Sequence, residues 1–530
     1  MANANLYALI EQRLPADREA ACLQLPASDD GDQGREISWH ELHLGVGRIA
    51  ALLASVGLQP GARVLVQVEK SPEALMLYLA ALRAGLVYVP LNTAYQEAEL
   101  RHFLSDAEPA VAVCSPRRRA MFEALAPAAE IFSLDEHGRG TLVWQAARLG
   151  GEFATVSCDA EQPAAILYTS GTTGRSKGAV LTHGNLTSNA LVLEEYWGFR
   201  KERQQGRRDV VLHALPLFHV HGLFVACHCA LLSGATTIFL PRFDAGQIVR
   251  LLPQATVMMG VPTFYTRLLQ EAGLDSQACA KMRLFVSGSA PLLSETFEEF
   301  RLRTGQTLLE RYGMSETLML ASNPYFGDPV RERIAGTVGR ALPGVRVRIE
   351  REDGTPCGAG EVGMVEVQGP NIFSGYWRLP EKTREEFTPD GWFRTGDLGC
   401  LGAPGAPPDY LKLVGRAKDL IITGGYNVYP KEIESYVDAL PGVVESAVVG
   451  LPHPDFGEAV CAFVVMEPGA TLSEGQAITC LKDQIAGFKV PKRIWQLEEL
   501  PRNAMGKVQK KVLREGYASV LKYPKQKLDR

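Results

Sequence analysis

Short apolar runs alternate with amphipathic segments through the first part of the chain. The runs Val64–Val68 and Val87–Pro90 predict buried strands, and Pro72–Arg83 between them predicts a helix. This alternation of strand and helix is typical of a layered α/β domain. It continues in further predicted strands at Ala164–Leu167, Val210–Ala214, Thr236–Phe239, Thr256–Gly260 and Leu284–Ser287.

The end of the chain has a different pattern. A predicted helix at Pro430–Ala439 is accompanied by predicted strands at Asp419–Ile422, Ser446–Gly450 and Val460–Met466. These elements fit a small α+β domain. The fold class expected from the sequence is therefore a large N-terminal layered α/β domain with a small α+β domain after it.

Composition narrows the class of protein. The chain has 530 residues and a net charge of −5, which disfavours a nucleic-acid partner held by bulk electrostatics. Its ten cysteines form no C-x-x-C pair, as expected for a reducing, cytoplasmic compartment. The N-terminal segment predicts an amphipathic helix rather than a signal peptide, and the longest apolar stretch, Gly222–Leu240, contains polar residues that favour a core segment over a membrane span.

The stretch Tyr168–Gly178, YTSGTTGRSKG, carries the clearest chemical signal. Its glycines allow the backbone N–H groups to turn inward, its hydroxyls donate hydrogen bonds, and Lys177 adds a positive charge, so it predicts a polyphosphate-binding loop. It is not a Walker A loop, because two residues separate the last glycine of that pattern from the lysine. It also satisfies G-x-S-x-G, which leaves a hydrolase with Ser176 as nucleophile as an alternative.

This stretch resembles the signature of the adenylate-forming superfamily, which includes acyl-CoA synthetases, luciferases and peptide-synthetase adenylation domains. The resemblance covers nearly the whole chain. It extends, in the expected order, to PLFHVHGL (216–223), ERYGMSET (310–317), GWFRTGDLG (391–399), GRAKDLIITGGYNVYPKEIE (415–434) and PRNAMGK (501–507). It implies an N-terminal domain of residues 1–417 that binds the acid and ATP, and a mobile C-terminal domain of residues 418–530 with its hinge at Lys418.

The same resemblance assigns ATP-binding residues. The phosphate loop contributes Thr169, Ser170, Gly171, Thr172, Thr173, Gly174 and Lys177. One wall of the adenine site is Gly288, Ser289, Ala290 and Pro291, and the other contains Glu310, Tyr312 as the stacking ring, and Gly313. Ser315 is expected to contact the α-phosphate, Glu316 to bind Mg²⁺, and Asp397 with Arg416 to contact the ribose.

The resemblance also assigns the reaction. A carboxylate attacks the α-phosphate of ATP to give an acyl-adenylate and pyrophosphate, and the thiol of coenzyme A then releases AMP. Lys507 is the expected charge stabiliser of the first step, and His219 lines the carboxylate pocket. Gly424, Gly425 and Tyr426 are expected to line the thiol tunnel. Acetylation of Lys507, with an acetyltransferase and a deacetylase as partners, is a possible regulatory route.

Other classes are weighed against this one. An amino-acid-activating domain is disfavoured because neither an aspartate for the amino group nor a following carrier domain is found. A non-catalytic ATP sensor is disfavoured because Lys507 and Glu316, which such a protein would be expected to lose, are present. An acyl-AMP ligase that loads a carrier protein stays open, as does the oligomeric state. A zinc site among His213, His219, His221, His228 and the nearby cysteines is disfavoured by their spacing.

The nature of the acid is suggested by Arg311, which precedes the stacking Tyr312. A guanidinium in an apolar pocket is costly unless an anion meets it, and it matches a carboxylate in bidentate geometry. The surrounding text resembles malonyl-CoA synthetases, so malonate is the expected acid, held by Arg311, His219 and Ser287. A short- or medium-chain monocarboxylate is the alternative, if Arg311 instead pairs with Glu310 and faces away; Arg267 and Arg283 are weaker candidates for the anion.

Overall fold

A computed structural model describes residues 3–27, 34–169, 176–328, 332–423, 426–453, 456–485, 487–503, 506–518 and 520–521. The chain divides into two compact units. The N-terminal unit comprises Met1–Arg346 and Gln368–Phe393, and the C-terminal unit comprises Val347–Val367 and Arg394–Arg530. The division thus falls before residue 418, and a hinge at Lys418 stays a prediction.

The first sheet of the N-terminal unit has seven strands within the described residues. Its central strands run parallel, which buries both faces and explains their continuous apolar sequences. In spatial order the strands are Gly375–Tyr376, Lys177–Thr182, Pro163–Thr169, Val87–Pro90, Arg63–Gln67, Val111–Cys114 and Glu130–Ser133.

A second sheet of this unit has nine strands among the residues the structure describes. Its parallel centre ends in antiparallel strands on both sides. In spatial order the strands are Arg340–Ala341, Leu318–Ser322, Leu308–Met314, Leu284–Ser287, Val257–Gly260, Val210–His213, Thr236–Phe239, Ala21–Leu25 and Arg35–Ser38.

Helices cover these sheets, and Pro72–Arg83 shows why they form where they do. Ser71 caps its N-terminus by accepting the N–H of Ala74, and Pro72 stands in the first turn, where its missing N–H has no cost. The other α-helices of the unit are Leu6–Gln12, Trp39–Ser55, Glu97–Ala107, Arg119–Leu125, Thr141–Ala146, His183–Tyr196, Phe199–Gln204, His228–Ser233, Ala245–Leu251, Pro262–Leu268, Ser294–Thr304 and Pro380–Glu386. Short 3₁₀ turns occupy Pro116–Arg118 and Leu252–Gln254, and a π-helix occupies His221–Cys227.

The C-terminal unit is built on two further sheets. One contains Arg346–Glu350, Gly363–Gln368, Phe393–Leu401 and Leu411–Arg416, and the other contains Tyr426–Val428, Ile421–Thr423, Gly457–Met466, Val443–His453 and Arg493–Leu497. Its helices are the 3₁₀ turn Ala417–Asp419 and the α-helices Pro430–Asp438, Glu474–Lys482 and Lys510–Tyr517. A buried apolar cluster that includes Ile433, Val448 and Val460 packs the helix Pro430–Asp438 against the longer strands.

The predicted fold class is confirmed, and the structure adds one strand that the sequence did not predict. Lys177–Thr182 is a strand that pairs antiparallel with Pro163–Thr169. The loop therefore joins two strands of a hairpin before the helix His183–Tyr196 begins. The stretch Gly222–Leu240 is buried core, and no helix in the described part of the chain is long and apolar enough to cross a membrane.

Candidate active site

Arg311 lies at the edge where two parallel strands of the nine-stranded sheet end. Ser287 on one strand pairs with Glu310 on the next, and the residues that follow them, Gly288 and Arg311, also lie side by side. The Arg311 side chain is 3% exposed, and its NH2 group lies 3.4 Å from Oγ of Ser289. The carboxyl ends of parallel strands are where α/β sheets place their ligands.

Buried polar atoms without a hydrogen-bond partner among the described residues lie at this guanidinium: Nε of Arg311 itself and Nε2 of the nearby His221. Oγ of Ser287 and Nε2 of His219 are also buried without a partner, but Ser287 is in register with Glu310 and so points to the face of the sheet opposite Arg311. His221 belongs to the cluster because its Nδ1 lies 3.4 Å from Oγ of Ser289. Buried polar groups in native proteins are normally paired. Such a group of donors is suited to a small polar or anionic ligand.

The charges of this cluster fit an anion. Burial lowers the pKa of Arg311 to about 9, and a carboxylate bound beside the guanidinium would raise it again. Burial also lowers the pKa of His219 to about 4, while burial and then the charge of Arg311 hold the pKa of His221 well below its usual range. Both imidazoles are therefore neutral near pH 7, and Arg311 is the group that supplies positive charge.

The other groups considered for the anion have different positions. Arg267 is exposed on the helix Pro262–Leu268. Arg283 donates to both carboxylate oxygens of Asp209, at 2.8 and 2.6 Å. Glu310 accepts the N–H of Leu292 at 3.1 Å, and successive residues of a strand point to opposite faces, so its side chain diverges from that of Arg311.

The phosphate-loop region is organised around Glu316. Its Oε1 lies 3.3 Å from Oγ1 of Thr169 and accepts the hydroxyl of Tyr376 at 3.1 Å. Lys177 is buried, with its Nζ 3.2 Å from Glu386 and 4.1 Å from the centre of the Tyr376 ring. Ser170, Gly171, Thr172, Thr173 and Gly174 lie outside the described residues.

A small cavity has one residue expected to contact the acid and one expected to contact the α-phosphate in its lining. It is lined by Asn92, Tyr168, Phe218, His219 and Ser315. The structure therefore brings together His219 and Ser315, which are separated by nearly a hundred positions in the chain. This proximity is consistent with a pocket in which a carboxylate meets an α-phosphate.

The expected adenine walls lie beside the acid pocket. Gly288 is buried, Ser289 and Ala290 are half-buried, and Pro291 is exposed. Ser289 has a φ of 73°, a left-handed conformation that is uncommon for a non-glycine residue. On the neighbouring strand, Tyr312 is buried and Gly313 has no room for a side chain, because a β-carbon would lie 2.0 Å from the carbonyl oxygen of Leu318.

In the C-terminal unit, Asp397 and Arg416 face each other across two antiparallel strands. Nε of Arg416 lies 2.9 Å from Oδ1 of Asp397. Lys418 is exposed in the adjoining 3₁₀ turn. Tyr426 begins a strand, whereas Gly424 and Gly425 lie outside the described residues.

Lys507 shares the electrostatic environment of this pair. Partial desolvation of its ammonium and then the charge of Arg416 lower the pKa of Lys507 to about 8, and the charge of Asp397 opposes them. The residue as a whole is exposed. A lysine with a lowered pKa beside a carboxylate–guanidinium pair is a reasonable catalytic cation.

Two side chains were not identified from the sequence. Tyr376 contacts both Glu316 and Lys177, and only its place in the strand next to Lys177–Thr182 reveals this. His221, which the sequence did not mark as a site residue, is buried and lies 3.4 Å from Oγ of Ser289 through its Nδ1. The other histidines near this segment have contacts of their own; for example, Nε2 of His228 lies 2.8 Å from the hydroxyl of Tyr78. In the described part of the chain, no group of three or more His, Cys, Asp and Glu residues is arranged to hold a metal ion.

Comparison with known proteins agrees with this geometry. Residues 11–377 match the AMP-binding enzyme family, and residues 432–507 match the AMP-binding enzyme C-terminal domain. A malonate–CoA ligase from Arabidopsis thaliana is 36% identical, over 87% of this chain and 78% of that protein. The mitochondrial malonate–CoA ligase ACSF3 from Mus musculus is also 36% identical, over 82% of this chain and 78% of that protein.

A solved structure gives a further comparison. The crystal structure of ATP-bound MatB from Rhodopseudomonas palustris has 52% sequence identity and a TM-score of 0.92, covering 98% of this chain and all of that one (100%). Together with the family matches, this similarity shows that the chain belongs to the AMP-binding, adenylate-forming enzymes. Within them it is an AMP-forming acid–CoA ligase.

Proposed function

We propose that the enzyme activates malonate, forming malonyl-adenylate and pyrophosphate from ATP and then malonyl-CoA and AMP from coenzyme A. The observation that carries the proposal is the buried Arg311, whose Nε has no hydrogen-bond partner among the described residues. The relatives that act on malonate, and the 52% identity to MatB, support the same acid. Methylmalonate, which keeps both carboxylates, is expected to be tolerated.

Malonate suits the pocket because its two carboxylates have different tasks. One attacks the α-phosphate, and the other remains ionised and needs a cation. Arg311 supplies that cation with a planar fork of donors, and the unpaired Nε2 of His221 lies in the same cluster. His219 is a further proposed contact of the acid, whereas Ser287, in register with Glu310, points to the other face of the sheet. A monocarboxylate would leave the guanidinium buried without an anion, which is unfavourable.

The adenylation step needs charge neutralisation more than covalent help. Lys177 and the hydroxyls of the phosphate loop hold the phosphates, and Lys507 stabilises the developing charge. A carboxylate flanked by hydroxyls is the hard oxygen donor set that Mg²⁺ prefers, so Glu316 with Thr169 and Tyr376 fits a magnesium site. When bound, Mg²⁺ would neutralise phosphate charge.

The second half-reaction is proposed to follow a rotation of the C-terminal part of the chain about Lys418. Gly424, Gly425 and Tyr426 would then line the path of the thiol. The thiolate attacks the acyl carbon, the bond to AMP breaks, and the thiol proton is released. Asp397 and Arg416 would hold the ribose of the nucleotide through both steps.

The experiment that tests the acid is a comparison of kcat/KM for malonate, methylmalonate, butyrate and octanoate. Loss of a charge-assisted pair costs on the order of 2–4 kcal/mol, so Arg311→Ala should lower kcat/KM for malonate by roughly 30- to 1,000-fold. The same change should affect butyrate far less. Arg267→Ala, which removes an exposed arginine, is the matched control and should leave both acids unaffected.

Three results would contradict the proposal. A wild-type preference for butyrate or octanoate would identify a short- or medium-chain acyl-CoA synthetase. An equal effect of Arg311→Ala on all acids would give the arginine a structural role. Release of AMP with a carrier protein but not with coenzyme A would identify an acyl-AMP ligase.

A further inference from the structure

Lys70 is a buried lysine that the proposed reaction does not use. It lies immediately before Ser71, the cap of the helix Pro72–Arg83, and is 8% exposed. Within the described residues no carboxylate forms an ion pair with it. A buried ammonium without a carboxylate is costly unless its hydrogens are otherwise bound.

The hydrogens of Lys70 are directed to one residue. Nζ lies 2.7 Å from Nδ1 of His213 and 2.8 Å from the His213 carbonyl oxygen, and it sits 4.3 Å from the centre of the Phe239 ring. Burial lowers the pKa of Lys70 to about 7. A neutral amine still has two hydrogens for these two acceptors, so the contacts do not depend on its charge.

These contacts fix the tautomer of His213. Its Nε2 lies 2.9 Å from the carbonyl oxygen of Gly222, and a carbonyl only accepts, so Nε2 carries the hydrogen. Burial lowers the pKa of His213 to about 3, which keeps the ring neutral. Nδ1 must then be an acceptor, and Lys70 is its donor.

Gly222 connects the contacts of Lys70 and His213 to the acid pocket. It lies in the π-helix His221–Cys227, and a β-carbon at this residue would be 2.1 Å from the carbonyl oxygen of Pro216. The backbone of Gly222 is therefore in close contact with the carbonyl group of Pro216 on one side and with the His213 ring on the other. The preceding residue is His221, whose Nδ1 meets the Ser289 hydroxyl that also contacts Arg311. π-Helical turns often occur at functional sites.

We propose that Lys70 is a positioning residue for the acid pocket: by holding His213 as the Nε2–H tautomer it fixes the Gly222 turn, and so the placement of His221 and Ser289 against Arg311. The link to malonate rests on the proposed function. The link from Lys70 to His213 and the turn does not.

The first test is the tautomer of His213. Wild-type enzyme labelled with ¹⁵N-histidine should give a neutral Nε2–H signature for His213, identified by its loss in His213→Gln. In Lys70→Met, which keeps the length of the side chain and removes its donors, that signature should become mixed. Lys70→Arg, which keeps donors, should preserve it, and Lys281→Met, at an exposed lysine, should leave it unchanged. A wild-type His213 that is Nδ1–H or doubly protonated overturns the proposal, whether or not any variant folds.

The second test is kinetic. Lys70→Met should raise the KM for malonate and lower kcat/KM by about tenfold, with the KM for ATP unchanged and Lys70→Arg recovering most of the loss. Equal losses for malonate and butyrate, or loss of thermal stability alone, would make Lys70 merely structural. If the wild type prefers another acid, the proposed function fails, but the KM for that acid and the His213 tautomer still test the role of Lys70.

Discussion

Arg311 lies so close to the backbone of Gly288 that a β-carbon built on residue 288 would be 2.5 Å from both Cζ and Nε of the guanidinium. The glycine expected in the adenine wall is thus also in close contact with the arginine that we propose binds the acid.

Gly288→Ala should therefore displace Arg311. We expect kcat/KM for malonate to fall by about 10- to 100-fold, and that for butyrate much less, because only the dicarboxylate depends on the guanidinium. Gly150→Ala, where the added methyl group meets nothing within 4 Å, is the control. A malonate-to-butyrate ratio that stays constant in Gly288→Ala would show that Arg311 does not select the acid.

Arg283 should behave in the opposite way. Its guanidinium holds the buried Asp209 and also donates to the carbonyl oxygen of Trp197 at 2.9 Å. Arg283→Met leaves the Asp209 carboxylate buried without its partner, which typically destabilises a fold by about 3–5 kcal/mol. Thermal and urea unfolding should show the loss, while the folded fraction keeps the wild-type acid preference. A changed preference would assign Arg283 to the pocket.

The pH dependence of adenylation should reflect Lys507. The charged ammonium is the active form, and its pKa is lowered to about 8, so acid-dependent pyrophosphate exchange should fall as the pH rises through that value. Lys507→Ala should abolish the exchange while supplied malonyl-adenylate is still converted to the thioester, and acetylation should have the same effect. Lys511→Ala is the control, because Lys511 is exposed. Equal loss in both half-reactions would remove Lys507 from its assigned role.

Lys418→Pro tests the hinge. Proline fixes φ near −65° and removes an N–H, so the turn Ala417–Asp419 should be restricted to one conformation. We expect malonyl-adenylate to accumulate in rapid-quench experiments while malonyl-CoA formation slows. Lys418→Ala should turn over normally, because it leaves the backbone free. Full turnover of the proline variant would place the movement elsewhere or remove the need for it.

Local patterns predicted the elements whose signals lie within a few residues. Pro72–Arg83 and Val87–Pro90 form as expected, because their apolar spacing and the capping residues are local properties. The strand Lys177–Thr182 was not predicted. It directly follows the loop rich in Gly, Ser and Thr, whose composition indicates a loop rather than a strand, and its pairing partner Pro163–Thr169 lies on the other side of that loop. Pairing between strands is decided by tertiary contacts that periodicity does not contain.

The acid pocket shows the same limit at the level of side chains. Arg311 was identified because the family resemblance marks the position before Tyr312, and a charge at that position is visible in the sequence. Its neighbours Ser289 and His221 come from separate elements, and their contact depends on which strands are adjacent. Lys70 gave no signal, since a lysine in a polar loop normally lies on the surface.

The left-handed backbone conformation of Ser289 sets thermal stability against selectivity for the acid. A non-glycine residue with a φ of 73° costs about 1 kcal/mol, which a glycine would recover. A glycine would also lack the hydroxyl that meets both Arg311 and His221. Laboratory evolution that selects only for thermal stability should therefore replace Ser289 by glycine early. The resulting enzymes should unfold at a higher temperature but show lower selectivity for a dicarboxylate over a monocarboxylate.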